Sequence, residues 1–162
     1  MPTTNLLKKE TEAILNRAVK SELYASHLYK HVANQMQRIG YFGAQKFFAG
    51  ESADELEHYQ KIADYMNDRG AMAATPALEA CNEKPGTLMD AIELGYETEL
   101  QLANDYESWY KTCNCVMTQQ FLLQFLELQR KSVGEYGDLL ARLRLVKGDQ
   151  AGMLLIDKEL GA

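Results

Sequence analysis

The sequence predicts an all-α protein: a four-helix bundle with a long crossover between the second and third helices and a short fifth helix at the C-terminus. Three observations carry this. The prolines fall only at Pro2, Pro76 and Pro85, so two long stretches contain nothing that forbids a helix. Apolar residues recur at steps of three and four through both stretches, and nowhere does a period of two take over. Residues 70–86, "GAMAATPALEACNEKPG", are longer than a usual helix–helix turn and can traverse a bundle lengthwise, which permits parallel second and third helices.

The first helix is expected over residues 5–37, with Asn5 as its cap. Its apolar stripe runs Leu15, Ala18/Val19, Ala25/Ser26, Tyr29, Val32/Ala33 and Met36. Gly40 and Gly43 punctuate, and a second helix follows from about 44 to 69, stopping at Gly70. Thr87 caps a third helix that runs to about 112. "TCNC" breaks it, and a fourth helix extends over about 117–147 to Gly148-Asp149. The tail "QAGMLLIDKEL" is amphipathic and reads as the fifth. Each long helix would span about 40–50 Å at ~1.5 Å per residue. The chain of 162 residues, without repeats or low-complexity segments, is read as a single domain.

Composition narrows the function. A net charge of −6 disfavours phosphate-backbone binding, which needs clustered Lys and Arg, and suits the attraction of cations, so no nucleic-acid partner is expected. No apolar run approaches the ~20 residues of a bilayer span. The start "MPTTNLLKKETEAIL" has no signal-peptide core, so a cytoplasmic location without a membrane partner is expected. Cys81, Cys113 and Cys115 are odd in number and lack the partners of a zinc site, so they are read as structural or incidental.

Polar residues interrupt the buried stripes. Glu22 occupies an inward slot on the first helix. Glu55 and His58 lie three apart on the second, in register with Phe48, Ile62 and Met66. Glu99 is on the stripe of the third helix, whereas Glu97 belongs to a polar face with Asp90, Glu93, Gln101 and Asn104. Gln129 is the inward polar group of the fourth. Three carboxylates cannot all stay ionised in an apolar core, because desolvation and mutual repulsion both oppose charge. A bound cation relieves them together and also accepts the imidazole lone pair. Carboxylates, one imidazole and an amide oxygen suit iron or another borderline divalent ion. A hydrogen-bonded polar network without metal, serving only to fix helix register, is the alternative reading of the same residues. A di-iron oxidase acting on an organic substrate is a third.

These segments resemble the ferritin family. "ELYASHLY" (22–29) is similar to its first-helix signature and "DELEH" (54–58) to its second. "YETE" (96–99), "ELQ" (127–129) with "EYGDLLARL" (135–143), and "LLIDKEL" (154–160) resemble its third, fourth and fifth helices. The resemblance implies a ferritin-like bundle holding two irons per chain. Glu22 and His58 would bind one iron, with Tyr29 beside Glu22. Glu55 would bridge the pair, Glu99 would bind the other, and Gln129 would lie beside the site. It implies Fe(II) oxidation by dioxygen or hydrogen peroxide and storage in a closed homo-oligomeric shell of twenty-four subunits. The second Glu-x-x-His of bacterioferritins is replaced by Gln129-Arg130-Lys131-Ser132, and Leu56 stands where their heme-ligating Met would be, so no heme is expected. Leu128, Lys131 and Ser132 replace the acids of a third iron site, and no acids appear near Thr118-Gln119-Gln120 to line a threefold channel.

Overall fold

The computed structural model describes residues 4–162. They form α1 (Lys9–Ile39), α2 (Phe42–Asp68), α3 (Leu88–Thr112), α4 (Val116–Leu145) and α5 (Gln150–Leu160). The helices therefore lie close to where the spacing of apolar residues puts them. One boundary moves. Lys8, not Asn5, is the N-cap of α1. Asn5 instead accepts from the Leu7 amide at 2.9 Å and donates to Glu12 at 2.8 Å. The cause is tertiary: the Leu6 amide donates to the Arg69 carbonyl at 2.8 Å, which holds this segment extended across the end of α2 and delays the helix. Thr87 behaves as expected. It forms a reciprocal capping box with Asp90, each side chain accepting from the other's backbone amide at 3.0 Å.

The crossover runs along α1. Its start lies beside Leu6, the Ala74 amide donates to Asn16 at 2.8 Å, and the Glu83 carbonyl lies 2.8 Å from His31 Nε2. Asn16 and His31 are about 22 Å apart along a helix rising ~1.5 Å per residue, so the link climbs most of α1 before α3 begins. That places α3 antiparallel to α1 and parallel to α2. His31 thus has a structural partner, and His27, four residues earlier on α1, is exposed.

α5 docks across the start of α2. Asp157, buried, accepts from the backbone amides of Gly43 (3.1 Å) and Ala44 (2.7 Å), filling two of the donors a helix N-terminus leaves open. Gly43 makes the approach feasible, since a Cβ there would lie 1.7 Å from the Asp157 carbonyl oxygen. The core joins Leu15, Val19, Met36, Phe48, Ile62, Met66, Ile92, Leu122, Phe125 and Leu143, all essentially inaccessible. Among the described residues no helix is long and apolar enough to cross a membrane.

Candidate metal centre

Each long helix delivers its polar groups at mid-length, and the antiparallel course of α1 and α3 decides how they meet. Glu22 and Tyr29 are seven apart on α1, and Glu99 and Tyr106 are seven apart on α3. Seven residues make nearly two turns, so each pair shares a face. Because the helices run in opposite directions, the pairs interlock: Tyr29 donates to Glu99, and Tyr106 donates to Glu22. Glu22, Glu99, Tyr29 and Tyr106 are wholly buried.

α2 adds Glu55 and His58. Nδ1 of His58 lies 3.1 Å from Glu55 and 3.6 Å from Glu22. One ligand atom from each of Glu22, Glu55 and His58 falls within 4.8 Å of the others, a spacing one ion could span. Glu99 stands outside this trio. Its carboxylate accepts from Tyr29 and, at 2.8 Å, from the Gln129 amide of α4, which also reaches the Glu99 carbonyl at 3.2 Å. The expected residues therefore gather as two adjoining groups, Glu22/Glu55/His58 and Glu99/Gln129. Tyr29 belongs to the second group. Its hydroxyl donates to Glu99, because Tyr29 stands seven residues beyond Glu22 on α1, at the height where the antiparallel α3 presents Glu99. Glu97 is exposed.

Two buried acceptors, Glu22 Oε2 and Gln129 Oε1, have no hydrogen-bond partner. Leaving such a group unsatisfied costs roughly 1–3 kcal/mol, and both atoms are of the kind that bind a hard or borderline cation. The donor set thus fits a divalent metal.

Charge at the centre is finely divided. Burial, and then the closeness and charge of Glu22, push the Glu55 carboxyl far above the usual range, which favours its protonated form while the centre is empty. Burial alone would raise Glu22 as well. The neighbouring Glu55 and His58 and the bond from Tyr106 outweigh that and hold it below the ordinary value. His58 is depressed by burial but raised more by Glu22, for a net increase. Glu99 is raised by burial despite the bonds from Tyr29 and Gln129.

Three further side chains complete the surroundings. Tyr106 lies flat against Phe125 (centroids 5.1 Å, 5°) and edge-on to Trp109 (5.1 Å, 85°). Tyr136 of α4 donates to Glu51 at 3.0 Å and stacks 6.5 Å from Tyr29. It fills the space over Gly95, where a Cβ would lie 2.2 Å from its ring. Glu51, one turn before Glu55, is pushed up to about 7 by burial and by the charge of Glu99, against the Tyr136 hydroxyl. On the stripes Tyr106 and Tyr136 pass for packing residues. The usable signal for Tyr106 is that Glu99-x6-Tyr106 repeats the spacing of Glu22-x6-Tyr29. Glu93, Asp54 and Lys131 are exposed, and all three cysteines are free thiols.

Residues 12–146 match the family described as Ferritin, ferritin-like domain. The chain is 31% identical over 153 residues to the ferritin of Pacifastacus leniusculus, covering 90% of this chain and 84% of that protein. It is 28% identical over 165 residues to a probable bacterial non-heme ferritin-like protein of Haemophilus influenzae, covering 96% of each. Its fold is similar to that of an open pore ferritin from Archaeoglobus fulgidus, with a TM-score of 0.92 and 25% identity, covering 96% of this chain and 98% of that one.

Proposed function

The chain belongs to the ferritin family, and from that premise we propose that it stores iron, oxidising Fe(II) to Fe(III) at a di-iron centre within each chain and holding the product as mineral in a 24-subunit shell. The observation that carries the reading is the trio of buried Glu22 and Glu55 with half-buried His58, in which Glu22 Oε2 has no hydrogen-bond partner.

Iron is the substrate. Glu22 and His58 would hold one Fe(II), Glu99 and Gln129 a second, with Glu55 between them. Each Fe(II) loses one electron, and together these reduce dioxygen, with two protons, to hydrogen peroxide, or reduce peroxide to two hydroxide ions. The protein's own groups supply the rest. Loading displaces the proton from Glu55 and requires a neutral His58, so metal binding is linked to proton release. Tyr106 and Tyr29 keep Glu22 and Glu99 oriented while the centre is empty. Phe125, edge-on to the His58 ring at 6.1 Å, fixes that ring and excludes water from its flank. Fe(III) hydrolyses readily, which drives it from the centre towards mineral. Residues on the outer faces of α1 and α3 would meet other subunits, and α5 would pack around a fourfold axis. Location in the cytoplasm accords with this role.

The test is Fe(II) oxidation by the iron-free protein in air, followed by absorbance. His58→Ala and Glu55→Ala should each lower the initial rate at least tenfold while the far-UV circular dichroism stays helical, in line with the ~10–100-fold losses seen even for groups that only support a metal ligand. Unchanged initial rates in both variants would overturn the assignment of the centre.

A further inference from the structure

We propose that Cys113 and Cys115, at the two ends of the α3–α4 turn, are a peroxide-reducing pair that cycles between two thiols and one disulfide. The pair stands apart from the metal centre. It rests on the ferroxidase reading above only for the source of its peroxide.

Cys113 closes α3 and Cys115 opens α4, with the exposed Asn114 as the single residue between them. Both cysteines have extended backbone, at φ −71°, ψ 117° and φ −144°, ψ 112°. The Cys113 thiol is turned towards its partner and donates to the Cys115 carbonyl at 3.8 Å. Two residues of chain span at most about 7 Å, and a disulfide joins Cα atoms about 4.4–6.8 Å apart. Asn114 belongs to neither helix, so the small closure breaks no helical hydrogen bond.

The two sulfurs are prepared differently. Cys113 is buried, and burial pushes its thiol up. Cys115 is half-buried at the N-terminus of α4. The neighbouring Thr118 hydroxyl, then the Thr118 and Met117 amides and the charge of Arg69, hold its thiol below the ordinary value. These groups are held firmly. Thr118 is wholly buried and paired with the Tyr65 hydroxyl at 2.9 Å, and Tyr65 stacks flat on Phe121 at 4.0 Å. Arg69, at the end of α2, keeps a buried Nε donor without an acceptor. An orphaned buried donor favours an acceptor nearby, and a thiolate is one. Cys115 is therefore the sulfur that attacks, and Cys113 the one that resolves. Cys81 lacks these conditions: it lies in the crossover, and burial and the charge of Glu83 push its thiol up.

The step balances as follows. The Cys115 sulfur attacks one oxygen of hydrogen peroxide, so that an S–O bond forms and the O–O bond breaks. The departing hydroxide takes the thiol proton and leaves as water, and Cys115 is a sulfenic acid. The Cys113 sulfur then displaces the hydroxyl: the S–S bond forms, the S–O bond breaks, and the Cys113 proton leaves with the hydroxyl as a second water. The two sulfurs lose one electron each, and the two peroxide oxygens gain one each. A small dithiol returns two electrons and two protons and reopens the pair.

The test uses reduced, iron-free protein in its native assembly, treated without oxygen with one hydrogen peroxide per chain. Thiols are counted after alkylation, and the bonded peptides are identified by mass spectrometry. Expected is the loss of two of the three thiols per chain, with Cys113 joined to Cys115 in the same chain, Cys81 unmodified, and full recovery with dithiothreitol. Cys115→Ser should slow peroxide consumption at least tenfold, roughly the gap between an activated and an ordinary thiol. Cys113→Ser should halt at a sulfenic acid on Cys115 that dimedone traps, and Cys81→Ser should change nothing. Overturning results are a disulfide between chains, Cys81 consumed as fast as Cys115, or thiols that react no faster in the folded protein than in guanidinium. Two Fe(II) per chain in air, in place of added peroxide, should give the same disulfide. A pair that closes with added peroxide but not with iron supports the thiol chemistry and overturns the centre as its peroxide source.

Discussion

Replacing Glu51 with glutamine should stabilise the iron-free protein at alkaline pH, although the substitution removes a side chain from the edge of the centre. Glu51 is pushed from an ordinary 4.5 up to about 7. A group whose folded value is raised favours the folded state below its unfolded value, and that advantage disappears as pH rises through the folded one. For Glu51 the contribution is complete below about pH 4.5 and gone above about pH 7. At ~1.36 kcal/mol per pKa unit, the full interval is worth on the order of 3 kcal/mol, and about 2–3 kcal/mol after allowance for the partial exposure of the side chain. Glutamine resembles the protonated carboxyl and keeps an oxygen for the Tyr136 hydroxyl. At pH 8 the variant should therefore melt about 4–12 °C higher, taking ~2–4 °C per kcal/mol for a chain of this size, and the advantage should shrink through pH 5 and vanish below about pH 4.5. Thermal melts of both proteins, iron-free and in the same assembly state, measure the difference directly. A variant no more stable at pH 8, or equally stabilised at both pH values, would refute the account of Glu51 as a buried acid strained by Glu99.

Two other outcomes follow from the same coordinates. Asp157→Ala should cost about 1–3 kcal/mol, because the buried amides of Gly43 and Ala44 lose their acceptor; a lower melting temperature with early proteolysis inside 150–160 checks it, and unaltered proteolysis argues against α5 being held by this bond. Anaerobic Fe(II) binding should release protons and weaken as pH falls from 8 to 6, since Glu55 is raised and must be deprotonated and His58 is raised and must be neutral. Calorimetry in two buffers of different ionisation heat counts the protons, and binding without proton release would contradict the placement of a proton on Glu55.

Much of this protein is legible in one dimension. The positions of the four long helices and of α5 follow from apolar spacing and from where prolines and glycines fall, because a helix's periodicity and its breakers are local properties. The inward placement of Glu22, Glu55, His58, Glu99 and Gln129 follows from the same arithmetic, since a residue's face depends only on its distance along the helix from its apolar neighbours. The choice of Glu99 over Glu97 is of that kind, and the structure agrees, with one buried and the other exposed. Asn5 shows where local reading ends. It is a good cap by type, yet a backbone bond from Leu6 to Arg69, sixty-three residues on, starts the helix later.

Which polar groups touch was decided only in three dimensions. That α1 and α3 run antiparallel, at a register where Glu22 faces Tyr106 and Glu99 faces Tyr29, goes with a crossover that climbs α1, while Gly95 of α3 leaves room for Tyr136 of α4. Spacing along one helix says that a side chain points inward; it does not say at what height another helix meets it. Helix positions and the residues that face the core were thus determined by the sequence alone, because both depend on short-range periodicity. The division into two adjoining groups, the exchange of tyrosine partners and the raised carboxyl of Glu55 arose from the packing, because contact, desolvation and charge coupling act across distances that the chain order does not encode.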